Sequence, residues 1–178
     1  MDKRTRNEAR RAIANDAAML ALALALEPVA PSSRLNDRLR ASLARRGRYG
    51  VFAVRVARLF DIELDAASET LRSLEDPAAW GPGLLDGVGL IPVVAGPRFA
   101  GAVATFSRFQ PGVRFPHHAH VGDEVTIVLD GAYKDSRGRV VARGDEAYEP
   151  AGSDHDFVVL DLGECIAAAI VVGGIELT

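Results

Sequence analysis

The four histidines of the chain all lie between positions 117 and 155. In an extended strand, side chains two residues apart point to the same face, so His118 and His120 are predicted to project together while His117 points the other way. Glu124 follows shortly after them, and His155 comes from a distant segment. Imidazoles and a carboxylate are ligands that suit Zn²⁺, Fe²⁺, Mn²⁺, Ni²⁺ or Cu²⁺. The spacing therefore predicts a site for one divalent ion at His118, His120, Glu124 and His155.

Cys165 is the one cysteine of the sequence, which excludes a disulfide framework and any multi-cysteine metal cluster. It begins an apolar run that ends at Val172. A cysteine in such a run is predicted to be a buried, inert thiol and not a nucleophile. The lack of thiolate ligands also argues against a purely structural zinc knuckle at the histidines.

Length and composition narrow the class of protein. The chain has 178 residues, of which 48% are hydrophobic and 25% charged, so one domain, or one domain with a short appendage, can bury a sizeable core. The net charge is −3, whereas a non-specific nucleic-acid binder normally carries a strong excess of Lys and Arg. Direct nucleic-acid binding is therefore not expected.

The longest unbroken apolar stretch is 17–26, which is half of the roughly 20 residues that a transmembrane helix needs. Basic residues precede it, as in a secretory signal, but Asn15 and Asp16 stand directly before it. We interpret the stretch as part of a helix in a cytoplasmic protein that does not enter a membrane, with a secretory signal as the alternative.

The elements that must position these residues differ between two halves that meet near residue 76. The first half, residues 1–76, is rich in strong helix formers, and prolines separate its first two helical segments. Its leucines recur at helical spacing, which predicts that they are buried. Helices are expected over about 5–26, from Ser32 or Ser33 onward, over 51–60 and from about Leu64 to Leu74, with Leu35, Leu39, Leu43, Leu64, Leu71 and Leu74 in the core.

The second half, residues 77–178, consists of short β-like runs separated by glycine and proline. Short strands at this spacing are typical of a β-sandwich or barrel. A hairpin turn is expected at 135–138. The predicted strands are Gly89–Ala95, Ala102–Phe109, Arg114–His120, Glu124–Leu129, Val140–Ala142, Glu146–Glu149, Asp156–Asp161 and Glu164–Val172.

Two segments of this half resemble the conserved motifs of the cupin family. The first, Gly112-x5-His118-x-His120-x3-Glu124-x6-Gly131, matches the first cupin motif at every spacing. The second, Gly144-x5-Pro150-x-Gly152-x2-His155, matches the second motif, except that Val159 stands where that motif usually has Asn. The resemblance implies a mainly β protein, with a C-terminal cupin jelly-roll barrel preceded by a small helical region.

A narrower resemblance covers nearly the whole chain. The stretch 20–39, Leu-Ala-Leu-Ala-Leu-Ala-Leu-Glu-Pro-Val-Ala-Pro-Ser-Ser-Arg-Leu-Asn-Asp-Arg-Leu, is similar to the linker and helix of ChrR-like anti-sigma factors. In that family a helical module sequesters an extracytoplasmic-function sigma factor, and the cupin carries a metal. Zinc-binding members have His-x3-Cys-x2-Cys in the helical module, and this sequence has nothing like it before residue 117. The module is therefore expected to bind no zinc and either to hold its shape by apolar packing or to act as a helical cap.

The leading functional hypothesis is a regulator in which a metal-loaded cupin, with zinc as the first choice and Fe, Mn or Ni as alternatives, senses a signal and alters the binding of a sigma factor. The rival is a metal-dependent dioxygenase acting on a small chelating substrate. A binding module with a structural metal is the third interpretation. The sequence leaves open whether the cupin pocket binds a small-molecule ligand and whether the chain forms a homodimer. Among the aromatic residues, Phe109, Tyr133, Tyr148 and Phe157 are candidates for a pocket or for the core.

Overall fold

A computed structural model describes residues 30–178, and it says nothing of the side chains of residues 43–46. The predicted helix at 5–26 and the predicted burial of Leu43 lie outside this description. None of the helices in the described part is long and apolar enough to cross a bilayer. The α-helices described are α1 (Ser33–Arg46), α2 (Ala53–Phe60) and α3 (Leu64–Ser73).

Eleven β-strands follow within the described residues, paired antiparallel in two sheets. The first sheet has the order β1-β2-β3-β10-β5-β8, and the second has the order β11-β4-β9-β6-β7. This is the mainly β, jelly-roll architecture that the sequence predicts. The strands are β1 (Gly81–Pro82), β2 (Val88–Val93), β3 (Val103–Phe109), β4 (Arg114–His120), β5 (Glu124–Asp130), β6 (Ala132–Asp135), β7 (Val140–Ala142), β8 (Glu146–Glu149), β9 (Asp154–Val159), β10 (Cys165–Val171) and β11 (Ile175–Leu177).

Strands β3 and β10 lie side by side inside the six-stranded sheet and are covered on both faces. Their outer face carries Phe106 and Ala168, which are fully buried in one core with Val56 and Phe60 of α2. The rings of Phe60 and Phe106 meet edge to face, with centroids 5.3 Å apart. Because side chains alternate along a strand, the residues directly before and after Phe106 and Ala168 face the barrel interior. Helix α2 is thus held to the barrel by aromatic packing on the back of its central strands.

The end of α2 is held to the loop between β2 and β3. Asp61 terminates the helix in the left-handed region, with φ of 56°. The N–H of Gly96 donates to the Phe60 carbonyl at 2.8 Å, and the Asp61 carboxylate accepts from the N–H of Arg98 at 2.9 Å. A Cβ at Gly96 would lie 1.8 Å from the Asp61 carbonyl oxygen, so only glycine allows the two backbones to approach this closely.

Helices α2 and α3 belong to the same compact unit as the strands, and this unit starts at Ser42. The domain boundary predicted at residue 76 stays a prediction. Leu71 and Leu74 are buried as predicted. The predicted burial of three other leucines is wrong. Leu35, Leu39 and Leu64 are 44%, 52% and 48% exposed.

The strand prediction also differs from the structure at β9, β6, β1 and β11. Strand β9 begins at Asp154, two residues earlier than predicted, so His155 lies within a strand and not in the turn before it. Strand β6 was not predicted, because three of the four residue types in its Ala-Tyr-Lys-Asp sequence are depleted in strands. The short strands β1 and β11 were not predicted either.

We expect Phe106→Ala to lower the free energy of unfolding by about 3–5 kcal/mol, because it leaves a cavity where α2 packs on the sheet. Val94→Ala, at a side chain that is 91% exposed, should change it by less than about 0.5 kcal/mol. Urea denaturation followed by circular dichroism measures both values. Equal effects of the two substitutions would contradict the assignment of Phe106 to the joint between helix and barrel.

Candidate metal centre

The pairing of β4 with β9 brings two distant histidines together. His118 stands directly opposite His155 in this pairing, and Phe115 stands opposite Phe157. From one pair to the other, β4 advances by three residues and β9 by only two. Strand β4 therefore carries one extra residue, in a β-bulge. Pro116 lies in the bulge, where its missing N–H costs no ladder hydrogen bond.

The three predicted histidine ligands converge in the interior. His118, His120 and His155 are 2%, 2% and 4% exposed, and each offers a ring nitrogen within 4.8 Å of the other two. The Nε2 atoms of His118 and His155 are 3.1 Å apart. His117 points away, as expected from strand alternation, and its ring contacts Thr178 and Asp154 at the surface.

The hydrogen bonds of these rings fit a metal site. Nδ1 of His118 is 2.9 Å from the Pro116 carbonyl, which can only accept, so this nitrogen carries the proton and Nε2 presents a lone pair to the cluster. Both ring nitrogens of His120 and Nδ1 of His155 are buried without a hydrogen-bond partner among the described residues. Buried polar atoms usually have a partner, and a metal between the rings would supply one for a nitrogen of His120. The donor set could thus hold a divalent ion.

Glu124 lies at the edge of this cluster. Its Oε2 is 3.3 Å from Nδ1 of His120, without the alignment of a hydrogen bond, and its Oε1 accepts from the Thr126 hydroxyl at 2.8 Å. It is not one of the three residues whose ligand atoms all lie within 4.8 Å of one another. Burial raises the pKa of its carboxyl, and the Thr126 hydrogen bond opposes this rise. The structure therefore places Glu124 next to one histidine, and its role as fourth ligand stays a prediction.

The histidines are neutral at physiological pH in this environment. Burial lowers the pKa of His118 and of His120, and it lowers the pKa of His155 to about 4. The neighbouring imidazoles lower these values further. Since a metal binds the neutral imidazole, burial keeps the three rings in the form that can act as ligands.

Two buried carboxylates beside His155 were missed by sequence reasoning. Oxygens of Asp135 and Glu149 lie within 4.8 Å of each other and of a His155 ring nitrogen. Arg137 binds Glu149 at 2.5 Å, and Asp135 accepts from the N–H of Arg139 at 2.8 Å. Asp135 lies in the turn predicted at 135–138 and Glu149 ends β8, and no motif spacing marks either of them. Neither carboxylate is hydrogen-bonded to His155, whose Nδ1 has no partner among the described residues.

The remaining sequence predictions near the site have clear outcomes. Cys165 is fully buried, and burial raises the pKa of its thiol to about 12, so it is inert as predicted. The Asp145 carboxylate accepts from the N–H of Ala142 at 3.0 Å and stabilises the turn before β8. Gly131 has φ of 66°, and a Cβ there would lie 2.3 Å from the Glu164 carbonyl oxygen.

A cavity of about 280 Å³ lies next to the histidines, between the two sheets. His118, Glu124 and His155 line it. Phe109, Tyr133 and Phe157 also line it, whereas Tyr148 is 53% exposed at the surface.

Comparison with known proteins agrees with this geometry. A family model described as the ChrR cupin-like domain matches residues 73–170. The chain belongs to the ChrR cupin-like family. No curated protein sequence matches the chain.

Solved structures of this fold are similar to the family member described here. A chain in the structure of Rhodobacter sphaeroides SigE in complex with the anti-sigma ChrR is 28% identical, with a TM-score of 0.54, covering 93% of this chain and 81% of that one. A cupin-like protein of unknown function from Ralstonia eutropha is 25% identical, with a TM-score of 0.47, over 52% of this chain and 59% of that one. An acetylacetone dioxygenase from Acinetobacter johnsonii is 13% identical, with a TM-score of 0.49, over 57% and 73%. At these last two TM-scores neither likeness bears on function.

We expect the metal-free protein to lose stability as pH falls from about 6.5 towards 4. The folded-state pKa of His155 lies below its unfolded value, so the unfolded chain binds more protons in this window. The loss from His155 alone should reach roughly 3 kcal/mol. Urea denaturation in a chelating buffer at several pH values measures it.

Two variants make this pH test specific. His155→Gln should give a shallower dependence on pH, since glutamine does not titrate. His117→Gln, at a half-exposed surface ring, is the matched control and should leave the dependence unchanged. An unchanged pH dependence in His155→Gln would show that the ring is not held neutral by the fold.

Proposed function

We propose that this protein is a metal-binding regulator. Its cupin barrel would bind one divalent ion, with Zn²⁺ as the first choice, and the chain would bind a sigma factor as partner. His118, His120 and His155 would hold the ion, with Glu124 as the fourth ligand. When bound, the ion supplies a fixed positive charge and a Lewis-acidic centre in the barrel. A sigma factor as partner implies that the protein works in the cytoplasm.

The convergence of three buried imidazoles carries the metal part of the proposal. Their unpartnered nitrogens are costly to bury, by about 1–3 kcal/mol for each unsatisfied group. A bound cation would satisfy one ring nitrogen of each imidazole. The carboxylates of Asp135 and Glu149 beside His155 would orient that ring, as supporting partners of metal-bound histidines do.

The sigma-factor part rests on the likeness to the SigE–ChrR complex and on exposed apolar side chains in the helical region. Leu35 and Leu39 of α1, one turn apart, are exposed, as are Val51, Val54 and Leu64 around α2 and α3. Exposed large apolar side chains at helical spacing are typical of a protein interface.

A physical route links the barrel interior to the helices. Ala167 and Ala169 of β10 line the cavity, and Ala168 between them is fully buried against the core that contains α2. A change in the interior that shifts β10 therefore reaches α2 through one layer of side chains. For regulation, the two states of the barrel must differ in their free energy of sigma binding.

Purified protein should contain one equivalent of Zn²⁺, and His118→Ala and His155→Ala should each lose it. Glu124→Ala should weaken binding by about tenfold or more, because it removes one ligand of four. Elemental analysis after dialysis against a weak chelator measures the content. His117→Ala is the matched control and should keep the metal. Full occupancy in His118→Ala and His155→Ala would exclude the site.

Co-expression with extracytoplasmic-function sigma factors from the same genome should yield a stable complex with one of them. The double variant Leu35→Asp and Leu39→Asp should weaken that complex by about tenfold or more, since it places charge in an apolar interface. Affinity pull-down followed by calorimetry of the pair measures the loss.

The matched control for this experiment is the double variant Val94→Asp and Leu162→Asp, at exposed apolar residues outside the helices. It should bind the sigma factor as the parent protein does. Equal loss in both double variants, or no complex with any sigma factor of that genome, would overturn the regulatory proposal.

A further inference from the structure

The interior of the barrel contains more space than folding requires. Protein interiors are packed about as densely as organic crystals, with few voids larger than a water molecule. Here a cavity of about 280 Å³ lies between the sheets. Leu84 and Val103 line it and are also 71% and 55% exposed, so they mark where it opens to solvent.

Small side chains on the central strands create this space. Ser107 of β3 pairs with Ala167 of β10, and Thr105 pairs with Ala169, all four facing the cavity. On the other side of β10, Thr126 of β5 pairs with Ala169 and also lines the cavity. Leucine or isoleucine at these positions would fill the interior. The small residues leave a floor that fits a ligand.

The chemistry of the lining restricts the class of ligand. No lysine or arginine occurs among the described residues that line the cavity. An anionic group away from the histidines would therefore be buried without a counter-charge, which is strongly unfavourable. The hydroxyl groups of a sugar would face Val88, Leu90 and Val171, which offer no hydrogen bonds.

The ionisable groups of the lining gather at the histidine cluster, whereas the hydroxyls of Thr105 and Thr126 already donate to the Ile91 carbonyl and to Glu124, and Ser107 lies on the floor. His118, His155 and Glu124 belong to it, and the Tyr133 ring lies 4.8 Å from Phe157, the next inward residue of β9 after His155. A ligand with one polar end can direct it to this cluster and keep its apolar body against the aliphatic walls.

We propose that the barrel binds a small, predominantly apolar molecule of roughly nine non-hydrogen atoms, with a single oxygen-bearing group directed towards the histidine cluster. The size follows from the volume of the cavity and the roughly 30 Å³ that a water molecule occupies in the liquid. The inference rests on the proposed function only in that the polar end of the cavity is the proposed metal site. Burial of the apolar body supplies the affinity, so binding does not require the metal.

Isothermal titration calorimetry of the full chain tests this inference with octanol and 2-octanone as apolar probes. Octanedioate, which has the same length and a charge at both ends, is the matched control ligand. Octanol should bind saturably with a negative heat-capacity change, and octanedioate should bind at least about tenfold more weakly than octanol. Octanedioate binding as tightly as octanol, or no saturable binding of either apolar probe, would overturn the inference.

Ala169→Leu places extra carbon atoms in the cavity and should weaken octanol binding by about tenfold or more. Ala100→Leu, at an exposed residue outside the cavity lining, is the matched control and should bind octanol as the parent does. Should Ala169→Leu fail to fold, Ala167→Leu fills the same floor from the next inward position. Undiminished octanol binding by a folded variant of either kind would contradict the proposed position.

Metal content measured on the same samples separates this inference from the proposed function. Octanol binding that persists in protein without metal supports the ligand site, even if the histidines prove not to hold an ion. Metal retention without binding of any apolar probe overturns the ligand site and leaves the metal proposal intact.

Discussion

The register between β4 and β9 is the constraint on which the site depends. It sets His118 opposite His155 and, through the bulge at Pro116, lets Phe115 and His118 both face the cavity although they are three residues apart. In a regular strand an odd separation sends two side chains to opposite faces. The extra residue thus adds an aromatic wall beside a histidine, with ring centroids 5.1 Å apart.

A second constraint falls on β3 and β10, because both of their faces are covered. The outer face must match the aromatic packing of Phe60 and Phe106, and the inner face must stay small enough to leave the cavity. A substitution on one face is therefore felt on the other through the same backbone. This arrangement places helix α2 and the barrel interior on opposite sides of one sheet.

Burial determines the electrostatics of the site more than any ion pair does. Desolvation is the largest cause of the lowered histidine pKa values and of the raised pKa of Glu124. Arg137 contacts Glu149 and so balances the negative charge of one of the two buried carboxylates beside His155. Neutral rings with free lone pairs are the state in which a cation can be taken up.

Much of the site follows from the sequence. Strand alternation separates His117 from His118 and His120, and the motif spacing identifies His155, because these signals depend on neighbouring residues along one strand or on a family pattern. The cupin fold was also recognisable from the two motifs, and the likeness to ChrR-like proteins from the stretch 20–39.

Other features depend on contacts between residues far apart in sequence, and only the tertiary structure decided them. Asp135 and Glu149 lie close to His155 because β6 and β8 place them there. The cavity exists because small residues of the neighbouring strands β3, β5 and β10 lie side by side on its floor. The exposure of Leu35, Leu39 and Leu64 could not be read from the sequence either. Periodicity shows which side chains share a helix face, but whether that face is covered depends on the elements that pack against it.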